Sequence, residues 1–142
     1  MTDRLRLVIF DVDGTLVDSQ ADILGAMAAS FAMQGLDVPP REAVLSIVGL
    51  SLTEAMARLV PDLPVVLRDE LVAGYKQSYM RSRLDSDTRQ TSPLYPGARD
   101  VLDLLSRQSH TLLGVATGKS QRGLDALIAS HGLEGLFLTR QV

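Results

Sequence analysis

The chain has 142 residues, of which 46% are hydrophobic and 22% are charged, and its formal net charge is −3. This hydrophobic share suffices for a packed core, which excludes a chain that is disordered throughout. A charge of −3 gives no basic surface for nucleic acid, so we expect no nucleic-acid partner. The absence of cysteine excludes a disulfide scaffold and a cysteine nucleophile, and it fits a reducing compartment.

No stretch of the sequence has the length and apolarity of a signal peptide or a membrane-spanning helix. The apolar run near the N-terminus extends only from Leu7 to Phe10 and ends at Asp11. A membrane-spanning helix needs about 20 apolar residues. We therefore expect a cytoplasmic protein with no membrane partner.

The first predicted element is a short strand over residues 5–10. Its consecutive apolar residues, several of them β-branched, are typical of a strand that is buried on both faces of a parallel sheet. The strand ends at Asp11, and Gly14 follows in the predicted turn.

Helical patterns follow, and no strand is predicted before about residue 92. Ser19 and Asp22 form a capping-box pattern at the start of the first helix, and Gly35 lies where a helix end favours a left-handed residue. Three further helices are predicted over residues 42–48, over residues 53–59 and after Pro64, and the polar run 81–92 is the predicted linker.

After this linker, strands alternate with helices. The predicted elements are a helix that contains Leu102, a strand over 112–116, a helix that ends at about His131, and a third strand that begins within 136–138. Such alternation predicts an α/β fold with a parallel sheet. We assign residues 1–16 and 93–142 to this sheet domain and residues 17–92 to an inserted helical domain.

Asp11 and Asp13 are the main candidates for catalytic residues. Side chains at positions i and i+2 of an extended segment point the same way, and both residues follow the C-terminal end of a predicted parallel strand, where ligands bind in such sheets. Two neighbouring carboxylates need a compensating charge, which Mg²⁺ supplies. A carboxylate can also attack phosphorus and form an aspartyl-phosphate.

Residues 8–19, Val-Ile-Phe-Asp-Val-Asp-Gly-Thr-Leu-Val-Asp-Ser, resemble the first motif of the haloacid dehalogenase superfamily of phosphohydrolases. Residues 95–98 and 115–119 resemble the approach to its second motif, and the likeness is greatest to the phosphoglycolate phosphatase-like branch. The resemblance implies a Rossmann-like sheet with an inserted helical cap. It also implies Mg²⁺-dependent hydrolysis of a small phosphorylated metabolite, such as phosphoglycolate.

The resemblance further implies roles for individual residues. Asp11 would be the nucleophile and, with the backbone carbonyl of Asp13, a Mg²⁺ ligand. The Asp13 side chain would be the general acid and base. This acid favours phosphate-ester chemistry over dehalogenation, because a leaving alkoxide needs a proton and a halide does not. A sugar phosphomutase of the same superfamily is the alternative.

The implied phosphate-binding residues are Gly14, Thr117, Gly118 and Lys119. The segment that begins at Thr117 leads into a predicted helix N-terminus, which attracts anions. Capping of that helix is the alternative role for Thr117 and the preferred one for Ser120. For Lys119 the alternative is a solvent-exposed side chain, which the sequence favours.

In the family's cap, a substrate-contacting segment lies at the position of Leu50 and Ser51, which makes both residues candidates for specificity. An ordinary turn between two helices is the alternative for this segment.

The family's third and fourth motifs, a lysine and further acids, have no match in the chain. The sheet domain also has room for about three strands, whereas open parallel sheets usually have five or six. We therefore expect the chain to be the N-terminal part of a longer protein or a truncated gene product. A second hypothesis is a catalytically incomplete module that binds a partner or self-associates through exposed sheet edges.

Overall fold

The computed structural model describes residues 4–85 and 92–142. Its elements in chain order are β1 (Arg6–Phe10), α1 (Gln20–Met33), α2 (Arg41–Ser46), α3 (Leu52–Leu59), α4 (Val65–Asp85), α5 (Ala98–Ser106), β2 (Thr111–Ala116), α6 (Gln121–His131) and β3 (Thr139–Gln141).

The three strands form one parallel sheet in the order β1-β2-β3. Val8 of β1 is paired with Leu113 of β2, and Gly114 of β2 is paired with Thr139 of β3. Each strand is joined to the next through at least one helix, as parallel pairing requires. The predicted α/β fold with a parallel sheet is confirmed, as is the helical character of the inserted block.

Within the described residues, helices cover one face of this sheet. Val8 and Phe10 lie on that face with Leu113 and Val115, and they pack against side chains of α5 and α6. Leu5, Leu7 and Ile9 point the other way and are 67%, 50% and 56% exposed. The prediction that β1 is buried on both faces is therefore wrong for the described residues, because both helices cover the same face.

The chain divides into two compact units. The sheet unit comprises Met1–Asp18 and Pro93–Val142, and the helical unit comprises Ser19–Ser92. Each unit has an apolar core of its own. The core of the sheet unit includes Val12 and Leu124, and that of the helical unit includes Phe31.

Within the helical unit, α1 and α4 cross at very short range. The Ser30 hydroxyl donates a hydrogen bond to the Leu71 carbonyl at 2.6 Å, and both residues are fully buried. A Cβ atom on Gly74 would lie 3.0 Å from the Ser30 Oγ atom. Glycine at this position therefore allows the two helices to approach each other.

The predicted capping box at the start of α1 does not form. Ser19 precedes the helix with φ −96° and ψ 11°, which is not the extended conformation of a capping residue, and its side chain makes no capping hydrogen bond. The Asp22 carboxylate instead accepts a hydrogen bond of 2.5 Å from the Ser92 hydroxyl. Gly35 does adopt the predicted left-handed conformation, with φ 66°.

Two predicted boundaries are also wrong. Residues 81–85 of the predicted linker continue α4, in which the Arg83 guanidinium lies over the Tyr79 ring. Residues 86–91 of this linker lie outside the described part of the chain. The third strand begins at Thr139 rather than within 136–138. Phe137, just before this strand, is buried in the core of the sheet unit.

No helix in residues 4–85 and 92–142 is both long enough and apolar enough to cross a membrane.

Candidate active site

Asp11 and Asp13 lie directly beyond the C-terminal end of β1. Val12 between them is only 1% exposed and belongs to the core of the sheet unit. Because alternate side chains of an extended segment point in opposite directions, the two carboxylates point away from this core. Asp11 is exposed, and Asp13 is partly buried.

A tight turn follows the two acids. The Val12 carbonyl accepts hydrogen bonds from the backbone N–H groups of three residues, Thr15, Leu16 and Val17, at 2.9–3.1 Å. Gly14 has φ 83°, and its N–H donates to the Val17 carbonyl at 2.9 Å. This N–H is thus engaged within the turn, and the left-handed backbone explains why glycine is at position 14.

A second turn follows β2, the neighbour of β1 in the sheet. The Thr117 Oγ1 atom accepts a hydrogen bond of 3.1 Å from the backbone N–H of Lys119. Since a hydroxyl has one proton to donate as well as lone pairs, Thr117 retains a donor. Ser120 caps α6, and its Oγ atom accepts from the Gly123 N–H at 3.1 Å. Gly118, between Thr117 and Lys119, is exposed.

An ion pair between Lys119 and Asp13 connects the two turns. The Lys119 Nζ atom lies 3.5 Å from the Asp13 Oδ1 atom, and the two side chains are only 9% and 15% exposed. The expectation of a solvent-exposed Lys119 is therefore wrong. The ammonium is directed to the carboxyl ends of the strands because its aliphatic chain packs against the start of α6.

The Asp13 Oδ1 atom is buried and accepts no hydrogen bond within the described residues. It nevertheless forms the ion pair with Lys119, whose distance of 3.5 Å is too long for a good hydrogen bond. The exposed Asp11 carboxylate, two residues before Asp13, is an oxygen ligand of the kind that Mg²⁺ takes.

The described residues contain no group of three or more His, Cys, Asp or Glu side chains that could hold a metal ion. Among the described residues, the candidate Mg²⁺ ligands are therefore Asp11 and Asp13. This is compatible with Mg²⁺, which usually retains several waters and takes one or two carboxylates together with substrate phosphate oxygens.

Leu50 and Ser51 lie in the other unit. Leu50 packs against the core of the helical unit, and Ser51 caps α3 by accepting a hydrogen bond of 3.3 Å from the Glu54 N–H. Both residues therefore have a local structural role.

Sequence comparison identifies the class of protein. The family model of haloacid dehalogenase-like hydrolases matches residues 8–140, and the chain belongs to this family. Its parallel sheet with an inserted helical unit is the Rossmann-like arrangement found in structures of this family.

Among curated relatives, the chain is 34% identical over 132 residues to a protein of Dickeya dadantii named probable phosphatase IndB, covering 92% of this chain and 56% of the relative. It is 32% identical over 143 residues to a phosphoglycolate phosphatase of Aliivibrio fischeri, covering 96% of this chain and 61% of the relative. The chain thus spans about three fifths of the length of these relatives.

A solved structure of a predicted phosphoglycolate phosphatase from Haemophilus somnus superimposes with a TM-score of 0.82 at 22% identity. The alignment covers 99% of this chain and 63% of that one. At this identity the likeness establishes the fold alone.

Proposed function

We propose that the protein is a Mg²⁺-dependent phosphatase that hydrolyses a small phosphorylated metabolite, such as phosphoglycolate, through an aspartyl-phosphate on Asp11. The observation that carries the proposal is the ion pair between Asp13 and Lys119 beyond the carboxyl ends of β1 and β2. The exposed carboxylate of Asp11 lies two residues before Asp13. The names of the relatives, a phosphatase and a phosphoglycolate phosphatase, support the same reaction class.

In the proposed reaction, the Asp11 carboxylate attacks phosphorus and the bond from phosphorus to the ester oxygen breaks. Asp13 donates a proton to the leaving oxygen and later accepts one from the water that hydrolyses the acyl phosphate. The exposure of Asp11 suits a nucleophile, since the substrate must reach it.

The phosphate oxygens would be held by the turn after β2. The Thr117 hydroxyl retains a proton to donate, the exposed Gly118 allows close approach of a ligand, and Lys119 supplies positive charge. Gly14 contributes through the shape of its turn, because its N–H already donates to Val17.

Asp11 and the backbone carbonyl of Asp13 would hold Mg²⁺. The ion supplies positive charge that offsets the charge of two carboxylates and a phosphate when it is bound.

We assign residues 1–16 and 93–142 to the catalytic core and residues 17–92 to a cap that governs substrate access. Leu50 and Ser51 are the cap residues that we propose for substrate contact. The absence of cysteine agrees with the cytoplasm as the site of action.

The test is Mg²⁺-dependent hydrolysis of phosphoglycolate and of an aryl phosphate by the protein. The released phosphate is measured. Asp11→Asn should lower kcat by more than about 10³-fold, because the amide is a poor nucleophile for phosphorus. The matched control is Asp100→Asn, which removes an exposed acid in the first turn of α5 and should leave kcat unchanged. Turnover that survives in Asp11→Asn would refute the mechanism.

A second candidate function is self-association of the sheet unit through a second copy of the chain. The observation that favours it is the exposure of Leu7 and Ile9 on one face of β1, and of Leu5 just before this strand. Exposed apolar faces and unpaired edge strands promote pairing with another chain. Sedimentation velocity should then show a mass that rises with concentration, and the double variant Leu7→Lys/Ile9→Lys should abolish this rise. A monomer at all concentrations would exclude this function.

A further inference from the structure

The chain has two lysines, and their environments differ sharply. Lys76 lies on α4 and is exposed, whereas the Lys119 side chain is only 9% exposed. Lysine is seldom buried in proteins unless its charge is paired. For Lys119 the pairing group is Asp13, one of the two acids of the candidate active site, at 3.5 Å.

The path of the Lys119 side chain is set by the first turn of α6. A Cβ atom on Gly123 would lie 2.9 Å from the Lys119 Cγ atom and 3.3 Å from its Cδ atom. These atoms belong to the middle of the side chain, so a Cβ atom at position 123 would force the side chain onto a different path. Only glycine at position 123 leaves room for this path.

The backbone of Lys119 is fixed at the same place. Its N–H donates to the Thr117 Oγ1 atom at 3.1 Å, and the next residue, Ser120, caps α6 through the Gly123 N–H. Gly123 therefore contacts the aliphatic chain of Lys119. The helix that contains Gly123 begins directly after Lys119, at the Ser120 cap. Both ends of the aliphatic chain are determined, by the turn at one end and by Asp13 at the other.

We propose that Gly123 is a positioning residue that directs the Lys119 ammonium into the active site, where it offsets the negative charge of Asp13 and of a bound phosphate group. The phosphate part rests on the proposed function, and the positioning part does not. A fixed cation within 4 Å of a carboxylate in a poorly solvated site is worth more than the same pair in water. Gly123 touches neither substrate nor reacting atoms and acts through Lys119.

The positioning role predicts how Lys119 reacts with an amine reagent. We would treat the protein with an N-hydroxysuccinimide ester of acetate and follow both lysines by peptide mass spectrometry. Lys119 should react several-fold more slowly than Lys76, and Gly123→Ala should raise its rate towards that of Lys76. The matched control is Gly25→Ala, an exposed helical glycine of α1 whose added Cβ would meet nothing within 4 Å. This control should leave both rates unchanged.

The charge role predicts how the protein binds inorganic phosphate in the presence of Mg²⁺, measured by titration calorimetry. Lys119→Met removes the charge and retains an unbranched side chain, and it should weaken phosphate binding about 10-fold. Lys76→Met is its control and should bind phosphate like the unaltered protein. Gly123→Ala should weaken binding in the same direction and by less, because it displaces the ammonium without removing it.

Circular dichroism of Gly123→Ala and of Lys119→Ala/Gly123→Ala shows whether the fold survives. If the clash with Lys119 unfolds the single variant, the double variant should fold again, which supports the positioning role. Equal acetylation rates of the two lysines, or no change on Gly123→Ala in a folded protein, would overturn the inference and leave the proposed phosphatase untouched. Slow acetylation relieved by Gly123→Ala without any phosphate binding would support the positioning role and overturn the phosphate role together with the proposed function.

Discussion

The two faces of the parallel sheet contain similar side chains in very different environments. On the covered face, Leu113 and Val115 are nearly inaccessible to solvent. On the bare face, Leu7 and Ile9 are at least half exposed, although they lie on a strand hydrogen-bonded to β2. Burial in this sheet is therefore decided by where the helices pack and not by the apolarity of the strands.

The strand order explains the difference. The chain passes from β1 to β2 and then to β3, always in the same direction across the sheet. Parallel crossovers are almost always right-handed, so successive crossovers in one direction place their helices on the same face. Helices α5 and α6 accordingly contribute Leu102 and Leu124 to a single core.

The largest expected effect is the loss of a side chain from the covered face. Leu113→Ala should lower the free energy of unfolding by about 2–5 kcal/mol, because it removes apolar contacts and leaves a cavity in a packed core. Leu7→Ala makes the same chemical change on the bare face and should cost less than about 1 kcal/mol. Urea unfolding followed by circular dichroism measures both. Similar losses in the two variants would contradict the difference between the faces.

A smaller effect is expected where the bare face is locally crowded. A Cβ atom on Gly114 would point to this face and lie 2.8 Å from the Thr139 Cγ2 atom on β3. Gly114→Ala should therefore cost about 1–3 kcal/mol by overpacking. Thr139→Ser removes that methyl group and retains the hydroxyl.

If the clash is the cause, Gly114→Ala/Thr139→Ser should recover most of the lost stability in a double-mutant cycle. Contacting residues show coupling energies of about 0.5–3 kcal/mol. A coupling energy near zero would show that the contact between these two residues does not limit the packing of β2 against β3.

Much of the fold could be predicted from the sequence, because its strongest signals are local. The run of apolar residues before Asp11 predicted β1, and Gly35 predicted the end of α1. Coverage of a face depends on the crossovers of the whole chain, so the exposure of Leu7 was not predictable from β1 alone. The capping box at Ser19 does not form, since Ser19 lacks the extended conformation of a capping residue and the Asp22 carboxylate accepts from a residue distant in sequence, Ser92.

For the candidate site, the residue types could be predicted and their contacts could not. Asp11 and Asp13 follow from a motif of adjacent residues, and Thr117 follows from a strand that ends before a helix. The contact of Lys119 with Asp13 joins residues in two turns, after β1 and after β2, that are far apart in sequence. One signal of it was present in the sequence, since Gly123 lies four residues after Lys119, in the first turn of α6.

The smallest expected effect concerns the start of α6, the helix that covers the face opposite Leu7. The Ser120 hydroxyl caps this helix by accepting from the Gly123 N–H. Ser120→Ala should lower the free energy of unfolding by about 1 kcal/mol, the usual cost of a lost cap. Ser106→Ala is the control, because the exposed Ser106 hydroxyl only donates to the Asp103 carbonyl within α5. The control should change stability by less than about 0.5 kcal/mol. An equal loss in both variants would mean that Ser120 does not stabilise α6 as a cap, and that the packing of Leu124 and Leu127 alone holds this helix on the covered face.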